Sequence, residues 1–224
     1  MTSAIGPGDA PAPASASWRR AQFAVLDLET TGLDADVNEI ISWGVVPVEQ
    51  GRVRIGGVRS GLVRPTVMPA GDTIKIHGLR PADLEAAPGI ESAVGALRDA
   101  LGMGRVVAHA AFVERAFLRG VGLKPREPIV DTATLGAVWL QTRGKAVPRI
   151  VSLGALAAEL GLPAHRPHRA DADALTTAQA FLALASHFEA VGMTTVRDLE
   201  RISRRGRAPR RWTLSPGTRG QGNG

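Results

Sequence analysis

Two acidic side chains stand at the end of an apolar stretch near the start of the chain, in the run Ala-Val-Leu-Asp-Leu-Glu-Thr-Thr-Gly of residues 24–32. Because side chains alternate between the two faces of a strand, Asp27 and Glu29 are predicted to point the same way. Two carboxylates on one face of a buried strand repel each other and lose hydration, which is costly unless a cation bridges them. Hard divalent cations, Mg2+ or Mn2+, prefer oxygen ligands of this kind, so the pair is a candidate metal site.

The spacing of this pair is weakly diagnostic by itself, because the chain contains five acid-x-acid pairs. Only the pair at Asp27 and Glu29 ends a strongly apolar strand and is followed by Thr-Thr-Gly, a typical turn sequence. For this pair alone, an ordinary structural role and a metal site stay equally open, and more distant residues must decide between them.

A third acid lies on the helix that is predicted after His109. Glu114 shares a helical face with Phe117, Leu118 and Val121, and this apolar stripe is expected to face the core. A carboxylate in that position needs a partner or a cation. The alternative is that Glu114 stands in the first turn of its helix, where an acid interacts favourably with the helix dipole.

A fourth acid begins a long helix predicted over residues 170–191. Asp173 shares a face of that helix with inward-pointing residues, namely Thr177, Ala180, Phe181 and Leu184. His168, in the preceding loop, would lie over the same site, and an ordinary exposed loop histidine is the alternative. Asp171 is a candidate N-cap of the helix.

Hydrophobic periodicity predicts a mixed α/β domain. The strands, of which the first three form an antiparallel meander, are predicted over about 21–29, 39–48, 52–63, 105–109 and 129–131. The helices are predicted over about 81–85, 90–101, 112–121, 132–141, 152–160, 170–191 and 194–202. The expected fold is therefore a mixed five-stranded sheet flanked by helices.

The composition fits one domain of ordinary size. The chain has 224 residues, and 44% of them are hydrophobic, enough for a substantial core. It contains no cysteine, which excludes disulfides and zinc–thiolate sites and suits a reducing cytoplasm. Because we find no apolar run of about 18 residues and no basic start followed by an apolar core, we expect no membrane partner and no secretory signal.

Composition and charge divide the chain into three parts. Residues 1–17 are rich in Pro, Ala, Gly and Ser, which predicts a disordered leader. Residues 18–192 are predicted to form the main domain, and residues 193–224 are predicted to form a last helix and a basic, flexible tail. The segment from 197 to 224 has eight arginines and two acids, so it carries the whole net charge of +6. Such a tail suits a polyanion such as nucleic acid, and a solvated solubility tail is the alternative.

Taken in order, these motifs resemble the DEDDh 3′–5′ exonucleases, the family of the bacterial DNA polymerase III proofreading (epsilon) subunit, which has an RNase H-like fold. The resemblance covers about residues 20–190, and its blocks are Asp27-x-Glu29-Thr30-Thr31-Gly32, Ile76-His77-Gly78-Leu79, Ala108-His109-x-Ala111-x-x-Glu114-x-x-Phe117-Leu118, Asp131-Thr132 and His168-x4-Asp173. Each block is weak alone, and their occurrence together in this order is specific. In the third block, Ala110, Val113 and Glu114 stand where the family usually has Asn, Phe and Asp.

The resemblance implies an RNase H-like exonuclease domain over residues 18–192 that hydrolyses terminal phosphodiesters of DNA or RNA to nucleoside 5′-monophosphates. The ligands of two Mg2+ or Mn2+ ions would be Asp27, Glu29, Glu114 and Asp173. His168 would act as the general base. Thr30 and His77 match positions that contact the terminal nucleotide, and Asp72 lies where family members can carry an acid near that nucleotide.

The partners that the resemblance implies are nucleic acid 3′ ends and a DNA polymerase, in proofreading, repair or RNA processing. Glutamate at position 114 is one methylene longer than the family's aspartate, so the second metal ion could bind differently. The alternative function is therefore a catalytically weakened nucleic-acid-binding or polymerase-docking module of the same fold.

Overall fold

The computed structural model describes residues 12–69, 74, 77–125, 128–163, 165 and 167–204. Within this part of the chain, the strands are β1 (Gln22–Thr30), β2 (Ile40–Glu49), β3 (Arg52–Val53), β4 (Arg59–Leu62), β5 (Arg105–Ala108) and β6 (Val130–Asp131). The helices are α1 (Pro81–Glu85), α2 (Ile90–Leu101), α3 (Phe112–Gly120), α4 (Thr132–Thr142), α5 (Leu153–Glu159), α6 (Ala170–Glu189) and α7 (Val196–Ser203). The expected mixed sheet flanked by helices is confirmed.

The strands form one mixed sheet in the order β3-β2-β1-β5-β6, and β4 also pairs with β2. β1 lies antiparallel to β2 on one side and parallel to β5 on the other, and β5 is parallel to β6. β1 is therefore central, and the acids at its end have neighbouring strands on both sides. Asp27 lies opposite Gly44 of β2, and Glu29 lies opposite Ser42.

The predicted third strand is interrupted in the structure. A short 3-10 turn at Ile55–Gly57 separates β3 from β4, so the described sheet has six strands rather than five. Gly56 and Gly57 offer no side chains that could pack on a sheet face, which weakens a continuous strand there. The other predicted elements start and end within a few residues of their observed bounds.

Each face of the sheet carries its own apolar layer. Phe23 and Val25 of β1 pack with helices α4, α5, α6 and α7, whereas Ala24 and Leu26 pack with α2 and α3. Because consecutive side chains of a strand alternate, Asp27 continues the row of Phe23 and Val25 toward α6. The predicted common orientation of Asp27 and Glu29 thus directs both carboxylates to the face that α6 covers.

Cap chemistry sets the helix ends near the site. Ser152 accepts a hydrogen bond from the N–H of Ala155 and is the N-cap of α5. Asp131 caps α4 in the same way, through the N–H of Ala133. The N-cap of α6 is Arg169, so Asp171 does not cap that helix; its carboxylate instead pairs with the Arg169 guanidinium at 3.2 Å.

The two ends of the described chain meet on the α6 side of the sheet. The N–H of Trp18, a fully buried residue, donates to Thr194 O at 3.0 Å, and the N–H of Val196 donates to Ala16 O at 3.1 Å. Leu199 and Ile202 of α7 belong to the same core. Among the described residues, none of the helices combines the length and the apolar character needed to cross a bilayer.

Candidate active site

The carboxyl end of β1 places two acids beside the first turn of α6. Glu29, His168 and Asp173 each offer a ligand atom, and these atoms lie within 4.8 Å of one another. The Asp173 carboxylate also accepts a hydrogen bond from the backbone N–H of His168 at 2.7 Å, which ties the loop to the helix. Two of the predicted metal ligands and the predicted base are therefore at one point, although their positions are more than a hundred residues apart in the chain.

Glu114 is the fourth predicted acid, and its helix α3 packs on the face of the sheet opposite to α6. It stands in the first turn of α3 and is only 4% exposed. Its Oε2 atom is buried and has no hydrogen-bond partner in the part of the chain that the structure describes. Burial raises the pKa of this carboxyl well above its usual range. A solvated first-turn acid would have none of these properties, so the helix dipole alone does not account for Glu114.

Electrostatic interactions connect Asp27 with the other three acids. Burial raises the pKa of the Asp27 carboxyl well above its usual range, and the charges that raise it further belong to Glu114, Glu29 and Asp173. Burial and the nearby Asp173 carboxylate raise the pKa of Glu29 to about 7. Burial likewise raises the pKa of Asp173. Like charges this close are unfavourable when ionised, and a divalent cation removes that penalty.

The donor set fits a hard divalent cation. Carboxylate oxygens are the ligands that Mg2+ and Mn2+ prefer, and the unpartnered Oε2 of Glu114 leaves a buried acceptor for which a cation is a suitable partner. The Glu114 carboxylate, despite its extra methylene, lies close enough to Asp27 for its charge to raise the pKa of Asp27.

Gly44 allows the first turn of α6 to lie against the sheet beside Asp27. A Cβ atom at this position would stand 2.3 Å from Ala170 O and 2.6 Å from Asp171 N, which are backbone atoms that cannot rotate away. We expect Gly44→Ala to displace the start of α6, to lower stability by about 1–3 kcal/mol and to lower activity, because Asp173 moves away from Glu29. Urea unfolding and a nuclease assay would measure the two effects.

Gly154→Ala is the matched control for this substitution. Gly154 lies inside α5, and a Cβ atom there would meet nothing within 4 Å. Alanine is favoured over glycine in a helix by about 1 kcal/mol, so Gly154→Ala is expected to be neutral or stabilising and fully active. If Gly44→Ala behaved like this control, close packing of α6 on Gly44 would not be what places Asp173.

Two residues predicted to contact the nucleotide lie near the cluster. His77 is buried, and its Nδ1 atom accepts a hydrogen bond from the N–H of Leu79 at 3.0 Å. Burial and the nearby His168 lower the pKa of His77, so the ring is neutral and its Nε2 carries the proton. This Nε2 has no partner among the described residues. The hydroxyl of Thr30 donates to Gly32 O at 2.7 Å and shapes the turn after β1; Asp72 lies outside the described residues.

His109 and Asp131, both in the motif blocks, hold the framework of the site. His109 Nε2 contacts Val151 O at 2.8 Å, and its Nδ1 contacts the hydroxyl of Thr132 at 2.9 Å. The Asp131 carboxylate accepts hydrogen bonds from the N–H groups of Ala110 at 2.9 Å and Ala133 at 3.1 Å. No role was predicted for Asp131, although an acid directly before a helix is a recognisable N-cap signal.

The departure at Ala110 has a conformational consequence. Ala110 has a φ of 57°, in the left-handed region that asparagine enters more readily than alanine. The family's usual Asn is therefore suited to this left-handed backbone conformation, whereas contacts with neighbouring residues must hold Ala110 in it. His168 shows a similar strain, with a φ of 61°. Both strained residues flank the acids, as is common at functional sites.

Comparison with known proteins agrees with this geometry. The exonuclease family model RNase_T matches residues 24–181, which include all four acids and His168. The DNA polymerase III PolC-type protein of Thermotoga petrophila is 33% identical over 191 residues, covering 83% of this chain and 13% of the relative. A DNA polymerase III subunit epsilon-like protein of Rhodobacter capsulatus is 36% identical over 200 residues, covering 85% of this chain and 27% of the relative. The chain thus spans about an eighth to a quarter of the length of these relatives.

Solved structures share the fold at low sequence identity. Exonuclease X in complex with 5′ overhanging duplex DNA superposes with a TM-score of 0.63 at 23% identity, covering 81% of this chain and 99% of that one. The nuclease domain of 3′hExo, a DEDDh family member bound to rAMP, also has a TM-score of 0.63, at 16% identity, covering 77% of this chain and 95% of that one. The clustered acids, the matched family model and the shared fold agree that this chain belongs to the RNase_T exonuclease family.

Proposed function

We propose that this exonuclease removes nucleotides from the 3′ ends of DNA or RNA and releases nucleoside 5′-monophosphates. The observation that carries the proposal is that ligand atoms of Glu29, Asp173 and His168 lie within 4.8 Å of one another. Asp27 and Glu114 are buried acids close enough for their charges to interact, and Asp27 also interacts with Glu29 and Asp173. Buried acids with raised pKa values are unfavourable when ionised in an empty site and are favourable around divalent cations. The relatives support this direction of cleavage, since several are named 3′-5′ exonuclease, among them a Staphylococcus epidermidis protein that is 30% identical to the chain.

The residues that would hold two Mg2+ or Mn2+ ions are Asp27, Glu29, Glu114 and Asp173. Bound ions of this kind make a coordinated water more acidic and stabilise negative charge on the oxygen that leaves. The carboxylates of β1 lie on the rigid centre of the sheet, whereas those of α3 and α6 are held by the first turns of their helices. The site therefore combines rigid ligands from three separate elements.

His168 is the proposed general base. Its ring reaches the same point as Glu29 and Asp173, within 4.8 Å, and its side chain is exposed, so it can exchange protons with solvent. The hydrogen bond from its backbone N–H to Asp173 holds the loop at the site. His168 would take the proton of the attacking water, the water oxygen would form a bond to the terminal phosphorus, and the bond from that phosphorus to the 3′ oxygen of the preceding nucleotide would break.

His77 and Thr30 are proposed to contact the terminal nucleotide, and Asp72 stays a proposal from sequence alone. The unpartnered Nε2–H of His77 is a buried donor near His168, and a phosphate or sugar oxygen is a suitable acceptor for it. Thr30 follows Glu29 directly at the end of β1, so its backbone and side chain adjoin the metal site.

The test is a nuclease assay on the whole chain. A 3′-labelled single-stranded DNA and the matching RNA are incubated with Mg2+ or Mn2+, and released mononucleotides are resolved by chromatography. We expect 5′-monophosphates from the labelled end and no release in EDTA. Absence of mononucleotide release from both substrates with either ion would refute the proposal.

The second candidate function is a catalytically weakened module that binds nucleic acid or docks on a polymerase. It is favoured by the departures from the family pattern at Ala110, Val113 and Glu114. The PolC-type and epsilon-like relatives also suggest a polymerase partner. A module of this kind would retain nucleic-acid binding in a gel-shift assay and lack mononucleotide release. The basic tail, from residue 205 onward, lies outside the described residues, and its proposed contact with nucleic acid rests on charge alone.

A further inference from the structure

The last turn of α7 reaches the edge of the sheet beside the site. Ser203 Oγ accepts a hydrogen bond from the backbone N–H of Asp131 at 3.0 Å and donates one to Leu199 O at 3.0 Å. β6 ends the sheet, so the N–H of Asp131 has this hydroxyl as its acceptor in place of a further strand. Ser203 is 8% exposed, and water therefore has little access to replace it.

Asp131 also contacts the loop that precedes α3, through its side chain. Its Oδ1 atom accepts hydrogen bonds from the N–H groups of Ala110 at 2.9 Å and Ala111 at 3.4 Å. Ala111 is the N-cap of α3, and its methyl side chain cannot accept hydrogen bonds from N–H groups at the start of the helix. Asp131 supplies an acceptor there instead. Glu114 is in the first turn of that helix, three residues after Ala111. The position of the Glu114 carboxylate therefore depends on where Asp131 is held.

α7 is anchored firmly enough to hold Asp131. Arg105 of β5 and Glu200 of α7 form an ion pair in which both side chains are almost fully buried. Since this buried pair fixes the middle of α7, Ser203, three residues further on, is held in place as an acceptor for Asp131.

We propose that Ser203 is a positioning residue for the metal site, which acts through Asp131 and the loop of residues 109–111 to place Glu114. α7 lies outside residues 24–181, the region that the family model matches, so this support comes from a segment beyond the matched core. The inference rests on the proposed function, because Glu114 is taken as a metal ligand.

The test compares Ser203→Ala with the unmodified chain at full length. Loss of groups that orient metal ligands typically costs about 10- to 100-fold in metal affinity or activity. We expect about tenfold weaker Mn2+ binding, followed by electron paramagnetic resonance, and a kcat about tenfold lower, with the KM for the oligonucleotide within about twofold. Amide hydrogen exchange at Ala110 and Asp131 is expected to become faster.

Thr195→Ala is the matched control, because it removes a hydroxyl cap from the same helix at the end far from Asp131. It should lower thermal stability by an amount similar to Ser203→Ala and leave Mn2+ affinity and kcat unchanged. Unchanged Mn2+ affinity in Ser203→Ala, or an equal loss in Thr195→Ala, would overturn the inference. If the unmodified chain bound Mn2+ but cleaved no substrate, the proposed function would fail, while Mn2+ affinity and amide exchange would still test the role of Ser203.

Discussion

Asp27→Asn is expected to abolish nearly all exonuclease activity and, at the same time, to raise the melting temperature of the metal-free protein. Activity should fall by more than about 100-fold, since loss of a ligand exceeds the 10- to 100-fold effect of losing a group that only orients one. Stability should rise because burial and the three nearby acids oppose ionisation of Asp27, so the metal-free fold must either hold an unfavourable charge or take up a proton, and asparagine avoids both costs. Mononucleotide release with Mn2+ and thermal unfolding in EDTA measure the two effects.

Asp36→Asn is the control for this substitution. Asp36 belongs to another acid-x-acid pair and is exposed in the turn after β1, so the change should alter neither activity nor melting temperature. Opposite effects on activity and stability are typical of a site whose charges are arranged for function rather than for folding. An Asp27→Asn variant that lost stability in EDTA would contradict the repulsion among the four acids.

Stability of the metal-free protein is expected to fall as the pH rises from about 5 to 8. The pKa of Glu29 is about 7 in the folded protein against an ordinary value of 4.5, so the folded state binds more protons between these values. Each pKa unit corresponds to about 1.4 kcal/mol, and Glu29 alone therefore costs the metal-free fold at most about 3.5 kcal/mol once it is ionised. Because the pKa values of Asp27 and Glu114 are raised further, the stability of the metal-free protein should continue to fall at higher pH. Below pH 6.5, the lowered pKa of His77 acts in the opposite direction.

Divalent metal should reverse this pH dependence. Mn2+ binds the ionised carboxylates and the folded state only, so the rise in melting temperature that it causes should grow from pH 6 to pH 8. The measurement is thermal unfolding with EDTA or with Mn2+ across this range. Glu29→Gln is the control and should flatten the pH dependence in EDTA. A melting temperature in EDTA that increased from pH 6.5 to pH 8 would refute the prediction.

Local sequence patterns predicted most of the elements and the orientation of the first two acids. Strand alternation placed Asp27 and Glu29 on one face, and helical periodicity identified α2, α3 and α6 close to their observed bounds. These predictions hold because alternation and helical pitch depend on residues only a few positions apart. The interruption between β3 and β4 was missed, since an alternating pattern does not show where a strand stops pairing.

The sequence identified candidate metal ligands and, through the resemblance, predicted their roles. It could not show whether Glu114 is buried or whether His168 lies near the acids. The fold answers both points, since Glu114 is 4% exposed and His168 lies beside Glu29 and Asp173, and both facts depend on packing between elements distant in the chain. The approach of α6 to Gly44 and the contact of Ser203 with Asp131 also join elements that are distant in the chain. No local spacing encodes such contacts, since they form only when the whole core closes around the sheet.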